Sequence, residues 1–184
     1  PTPPNARSRP GKPGTALDDE LRRPMDEDAL RRATELWQEA YRHQVQGDLE
    51  RAVELYRESI RVRPTAEAPT FLGWTYSFQG RLEDATQECL RAIEVDPDFG
   101  NPYNDIGVYL IQQNRLDEAI PWLEKAKRAP RYEPRQFPHM NLGRIYLRQR
   151  RWAEALRELE AAVRVAPEAR DAHRALHELR ARLN

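Results

Sequence analysis

Six positions of this 184-residue chain recur at a nearly fixed interval. Ala40, Gly47, Ala52, Tyr56, Ser59 and Pro64 become Gly73, Gly80, Ala85, Cys89, Ala92 and Pro97 on adding 33. About 34 residues further on stand Gly107, Asn114, Ala119, Leu123 and Ala126, with Pro130 one place early. A last step of 36 reaches Gly143, Arg150, Ala155, Leu159 and Ala162, and Pro167 closes the series. A period of this length dictates stacked supersecondary units, each of which needs a neighbour to cover its apolar face. Within each unit the small residues fall where two helices must approach closely. A glycine or polar residue marks the turn between them, and a proline follows the second helix, which it cannot extend. The chain is therefore expected to be all-α.

Composition agrees with an extended stack. Hydrophobic residues make up 39% and charged residues 33%, against about 45–50% and about 25% for ordinary globular domains. Such a chain is partly disordered or has a high ratio of surface to core. Thirty Lys and Arg balance thirty Asp and Glu, which removes the general electrostatic case for nucleic acid or an anionic membrane. One cysteine, Cys89, excludes an intrachain disulfide framework and a Cys-based zinc cluster. No apolar run approaches the roughly 18 residues of a membrane span, and the first 25 residues lack the apolar stretch of a signal peptide. Membrane insertion is thus not expected, and the expected compartment is the cytoplasm.

Residues 1–25 hold six prolines and two glycines, and only Ala6, Ala16, Leu17, Leu21 and Met25 are apolar. Too little surface can be buried there to offset the entropy of ordering, so a disordered Pro-rich tail is expected ahead of a repeat domain at 26–184.

The repeat resembles the tetratricopeptide repeat, a helix–turn–helix unit with the pattern Leu-Gly, Tyr, Gly, Ala, Ala, Pro. Unit two reads Leu72-Gly73, Tyr76, Gly80, Ala85, Ala92, Pro97; unit three reads Tyr103, Ile106-Gly107, Asn114, Ala119, Ala126. Unit four carries Leu142-Gly143, Tyr146, Ala155, Ala162, Pro167, and unit one the weaker Leu36, Ala40, Gly47, Ala52, Tyr56, Pro64. The resemblance implies a right-handed α-solenoid with repeats at about 33–65, 66–99, 100–133 and 136–169. Residues 170–184 then form a capping helix, with Ala172, Ala175, Leu176, Leu179 and Leu183 on one face. Asn101-Pro102 reads as a cap followed by a proline in the first turn, and Phe137-Pro138 starts unit four similarly. Two departures stand out. Pro121 lies inside a helix, where it removes one backbone hydrogen bond and bends the axis. The insertion Arg131-Tyr132-Glu133-Pro134-Arg135 is either a rim contact for a ligand or a tolerated surface loop.

Residues suited to chemistry do not converge. His173 and His177 stand four apart on the last helix without an evident third ligand, while His43 and His139 are isolated. Cys89 occupies a helix-packing position and reads as a small apolar side chain. Phosphate-binding glycine loops are absent. No enzyme activity, metal or cofactor is expected.

The resemblance places function in the concave groove lined by the first helix of each unit. It implies the groove residues Trp37, Tyr41, Thr70, Trp74, Phe78, Asn104, Val108, Ile111, Met140, Asn141, Arg144 and Arg148. Aromatic groove residues suit hot-spot anchors, or else cover for a folded-back tail or ordinary packing. Asn101, Asn104 and Asn141 can each donate and accept, as a peptide backbone requires; Asn101 also suits helix capping. Trp37, Tyr41, Thr70 and Trp74 stand where some family members carry the Lys and Asn of a carboxylate clamp, so a chaperone-tail role is disfavoured. Residues 65–99 hold two basic against seven acidic side chains, a balance of −5; residues 135–184 hold eleven against six, a balance of +5. This gradient suits an oriented partner or head-to-tail self-association. The expectation is a non-enzymatic adaptor that binds a protein or peptide ligand. The alternatives are an accessory subunit of a larger enzyme or assembly machine, or nucleic-acid contact through Arg144, Arg148, Arg150, Arg151 and Arg157. Zero net charge and the lack of a stacking platform count against the last.

Overall fold

The computed structural model describes the backbone of residues 16–183 and the side chains of residues 26–183. Within them the chain forms α1 (Ala16–Val45), α2 (Leu49–Val62), α3 (Glu67–Phe78), α4 (Leu82–Val95), α5 (Asn101–Gln112), α6 (Leu116–Arg128), α7 (Gln136–Arg148), α8 (Trp152–Val165) and α9 (Arg170–Leu183). The first helix begins at Ala16, inside the segment expected to be a tail. Ala16, Leu17, Glu20, Leu21, Arg22 and Arg23 are good helix formers, and Asp18, Asp19 and Glu20 favour a helix N-terminus. A reading based on buried area alone overlooks that propensity. Residues 1–15 of the expected tail lie outside the described residues.

Consecutive helices pack as antiparallel pairs, and the pairs stack in order. Odd-numbered helices also touch one another, α1 on α3, α3 on α5, α5 on α7 and α7 on α9. The backbones of the even-numbered helices lie further apart among the described residues, and α6 meets α8 through the long side chains of Lys127 and Glu158. One layer is therefore tight and the other splayed, which curves the stack and puts the odd-numbered helices on its concave side.

The recurring positions explain the pairing. At Gly73 an added Cβ would lie 2.8 Å from the Ala85 carbonyl oxygen; at Gly107 it would lie 2.6 Å from the Leu123 side chain. The corresponding Ala52, Ala85, Ala119 and Ala155 of the second helices are fully buried, as are Cys89, which lies against Gly73, and Leu123, which lies against Gly107. The turns between paired helices use left-handed backbone at Gly47, Gly80, Asn114 and Arg150, with φ of 85°, 75°, 61° and 59°. Asp48 caps α2 by accepting from the Arg51 N–H, whereas α4, α6 and α8 start on Arg81, Arg115 and Arg151. Each of these arginines pairs with an acid three residues on: Asp84, Glu118 and Glu154. Helix α6 runs unbroken through Pro121.

Two local expectations change. Asn101 is the first residue of α5, not its cap; Gly100 takes the cap position, and no side chain bonds there. The amide of Gly100 donates to the Arg131 carbonyl instead, at 2.8 Å. The terminal helix covers unit four through Ala172, Leu176 and Leu179, but Leu183 at its end is 48% exposed.

Candidate functional site

The concave side of the first two units carries a continuous run of aromatic rings. Trp37 and Tyr41, one turn apart on α1, are stacked with centroids 6.4 Å apart. Both meet the edge or face of Phe71 on α3, at 5.3 and 5.5 Å. Phe71 in turn touches Trp74 at 5.9 Å, and Trp74 touches Phe78 at 5.3 Å. Trp37 is half-buried, whereas Tyr41, Trp74 and Phe78 are 40%, 39% and 58% exposed. Phe71, which joins the two helices of this run, was not among the residues implied by the family pattern. Its signal was its place one position after Thr70 and three before Trp74 on the same helix.

Further along the groove the expected residues divide. Thr70 is buried, with its hydroxyl donating to the Ala66 carbonyl at 2.7 Å, and Ile111 is buried in the core. Both form floor rather than contact surface. Val108 and Met140 are half-buried and Arg144 is exposed. Arg148 is exposed as well, but its guanidinium is engaged across units, donating to Asn114 Oδ1 at 2.8 Å. The asparagines are also engaged. Asn141 Nδ2 donates to Asn104 Oδ1 at 3.0 Å, and Asn104 Nδ2 points on to Asp105 Oδ1 at 3.4 Å. Asn104 and Asn141 thus join units three and four and are not free to hold a peptide backbone; Asn101 carries no such contact.

The insertion is fastened to the body. Arg131 N–H donates to the Asp98 carbonyl at 3.0 Å, and Arg131 O accepts from Gly100. The Arg131 guanidinium pairs with Asp96 and, at 2.8 Å, with Glu67 at the start of α3. Tyr132 is only 4% exposed, and a Cβ on Gly100 would lie 2.5 Å from it. Only glycine at 100 lets this ring close so tightly on the helix start. Tyr132 and Pro134 become one wall of a cavity of about 180 Å³, whose other walls are Thr70, Phe71, Trp74, Asn101, Asn104, Asp105 and Phe137. Burial pushes the Asp105 carboxyl up to about 7, with only the Asn104 amide acting the other way. It also pushes the Tyr132 phenol up.

Elsewhere the chemistry is structural. Burial pushes the Cys89 thiol well up, so it stays protonated. Glu158 joins three helices, accepting from Lys127 at 2.9 Å and lying 2.7 Å from His139 Nδ1. Burial pushes its carboxyl up, but these contacts outweigh burial and hold it below the usual range. His173 Nε2 lies 2.7 Å from the Pro167 carbonyl oxygen. Among the described residues no group of three or more His, Cys, Asp or Glu is placed to hold a metal, and no helix is long and apolar enough to cross a membrane.

Comparison with known proteins gives a consistent fold. Profiles described as Tetratricopeptide repeat match residues 37–99, 72–134 and 137–169. The structure titled as a functional characterization of Pseudomonas aeruginosa pilF is 22% identical, with a TM-score of 0.75, covering 85% of this chain and 69% of that one. PilW, described as a widely conserved type IV pilus biogenesis factor, is 19% identical with a TM-score of 0.72, covering 80% and 68%. The second TPR of Spaghetti (RPAP3), bound to an HSP90 peptide, is 21% identical with a TM-score of 0.52, covering 56% and 97%. No curated protein matches the sequence significantly.

Proposed function

This chain belongs to the tetratricopeptide repeat family, and from that premise we propose that it is a non-catalytic interaction adaptor whose concave groove holds a peptide or helix of a partner protein. The observation that carries this reading is the exposed end of the aromatic run. Tyr41, Trp74 and Phe78 leave large apolar faces in water beside a core that already has Phe71 and Trp37 to fill it. Leaving such surface uncovered is unfavourable by about 25 cal/mol per Å², and contiguous aromatic surface in a groove has the composition of a binding hot spot. The peptide held by one structural neighbour supports the same use of the fold.

The groove has a direction. Its aromatic part lies on α1 and α3, while Arg144 stands exposed on α7. A ligand with apolar anchors at one end and an acidic residue at the other complements both. Arg148, engaged with Asn114, contributes less to this than Arg144.

The test is Trp74→Ala in the intact chain. Partners captured by the parent should bind the variant more weakly by about 2 kcal/mol, roughly thirtyfold, with circular dichroism unchanged. A variant that folds normally and holds every captured partner as tightly as the parent would overturn the concave-groove reading.

A further inference from the structure

We propose that the cavity between α3, α5 and the 131–135 insertion is a receptor for one basic side chain, arginine or lysine, of the polypeptide held in the groove. The inference rests on the groove reading and sharpens it. The cavity is lined by four aromatic residues, Phe71, Trp74, Tyr132 and Phe137, and by the acidic Asp105. Ring faces attract a cation within about 6 Å, and an anion at the base of such a cage completes the match. A neutral apolar side chain would fill the rings but leave the carboxylate without a counter-charge.

The state of Asp105 makes the case specific. Its one hydrogen-bond donor is the Asn104 amide at 3.4 Å, a weak contact. Among the described residues no lysine, arginine or histidine forms a salt bridge with it, although the chain has many basic residues. The nearby Arg131 is already held by Glu67 and Asp96, and Arg135 by Glu133. A carboxylate partly withdrawn from water without a partner is unfavourable, and its displaced titration reflects that. A guanidinium or ammonium on an alkyl stem answers each feature: its charge meets Asp105, its stem lies on the rings, and a spare N–H can reach the Asn101 amide oxygen. The cavity, at about 180 Å³, accommodates one such side chain and not a ring system with substituents.

The experiment titrates the full chain at pH 8 with n-butylguanidinium, n-butylammonium and neutral n-butylurea, followed in ¹H–¹⁵N spectra. Both cations should give saturable shifts at the Trp74 indole N–H and the Tyr132 amide. Dissociation constants of about 1–10 mM are expected for fragments of this size, and n-butylurea should bind at least about tenfold more weakly. Asp105→Asn should lose the same factor while its spectrum stays folded. Phe137→Leu should weaken both cations severalfold without changing the preference for charge. A blocked pentapeptide with a central arginine should bind as tightly as n-butylguanidinium, and its norleucine counterpart should not bind. The proposal is overturned if n-butylurea matches the cations, if neither cation saturates by tens of millimolar, or if Asp105→Asn binds undiminished. Those failures leave the Trp74→Ala test of the groove untouched, so the two readings fall separately.

Discussion

Replacing Asp105 with asparagine should stabilise the protein, and by more at pH 8 than at pH 4. The carboxyl rises from 3.8 to about 7 through burial. A carboxyl whose folded pKa lies above its unfolded one makes the native state hold its proton longer. Stability is therefore undiminished below about pH 4, falls as pH rises towards 7, and levels off above. Each unit of displacement is about 1.4 kcal/mol, so a rise of about three units sets a ceiling near 4 kcal/mol. Asp105 is half-buried and opens on a cavity, so water and local relaxation reduce this to about 2–3 kcal/mol. For a chain of this size that corresponds to roughly 5–10 °C in Tm. Cys89, Tyr109 and Tyr132, the ionisable groups coupled to Asp105, are all pushed up by burial and stay neutral over this range. The asparagine keeps an oxygen to accept from Asn104, so no hydrogen bond is lost. Melting curves of parent and variant from pH 3.5 to 8.5 give the difference directly. A gap that is constant with pH, or a variant less stable at pH 8, would refute the reasoning.

Arg150 adopts φ 59° at a turn where two other units use glycine; Arg150→Gly should raise stability by about 1 kcal/mol and Gly47→Ala lower it similarly, read by chemical denaturation. Leu179, 1% exposed, and Leu183, 48% exposed, lie on the same terminal helix. Leu179→Ala should cost about 2–4 kcal/mol and Leu183→Ala less than about 1, so equal losses in melting temperature would deny that this helix caps the stack. Glu158 sits below the usual carboxylate range, so its contribution is present above its unfolded pKa and lost as pH falls through the folded one. Glu158→Gln should therefore destabilise at pH 7, and the deficit should shrink in acid.

The repeat was legible because close packing imposes residue types: little but glycine, alanine and small side chains fits where α3 meets α4 or α5 meets α6. The same logic located Cys89 in the core. Groove residues were less legible. Position along a helix sets the direction of a side chain but not what it meets, so Thr70 and Ile111 were placed in the groove and lie in its floor. Asn141 bonds Asn104 and Arg148 bonds Asn114 across units, pairings that depend on how the units stack and not on position along one helix. The cavity was hardest to see, because it joins Phe71 to Tyr132 and Phe137 across more than sixty positions. Tyr132 was the available clue: an aromatic residue set among Arg131, Glu133, Pro134 and Arg135 has little reason to be there unless it is buried.

The fastening of the insertion also changes how the protein comes apart. In a stack held only by nearest-neighbour contacts, units open from either end one at a time. Here Arg131 reaches back to Glu67, and Tyr132 seals Gly100 while Pro134 and Phe137 close on Phe71 and Trp74. This strap links units two, three and four, and they are expected to open as a single cooperative block. Fraying is then expected in α1, α2 and α9, and amide protons of α3 to α8 should exchange together, through one shared opening.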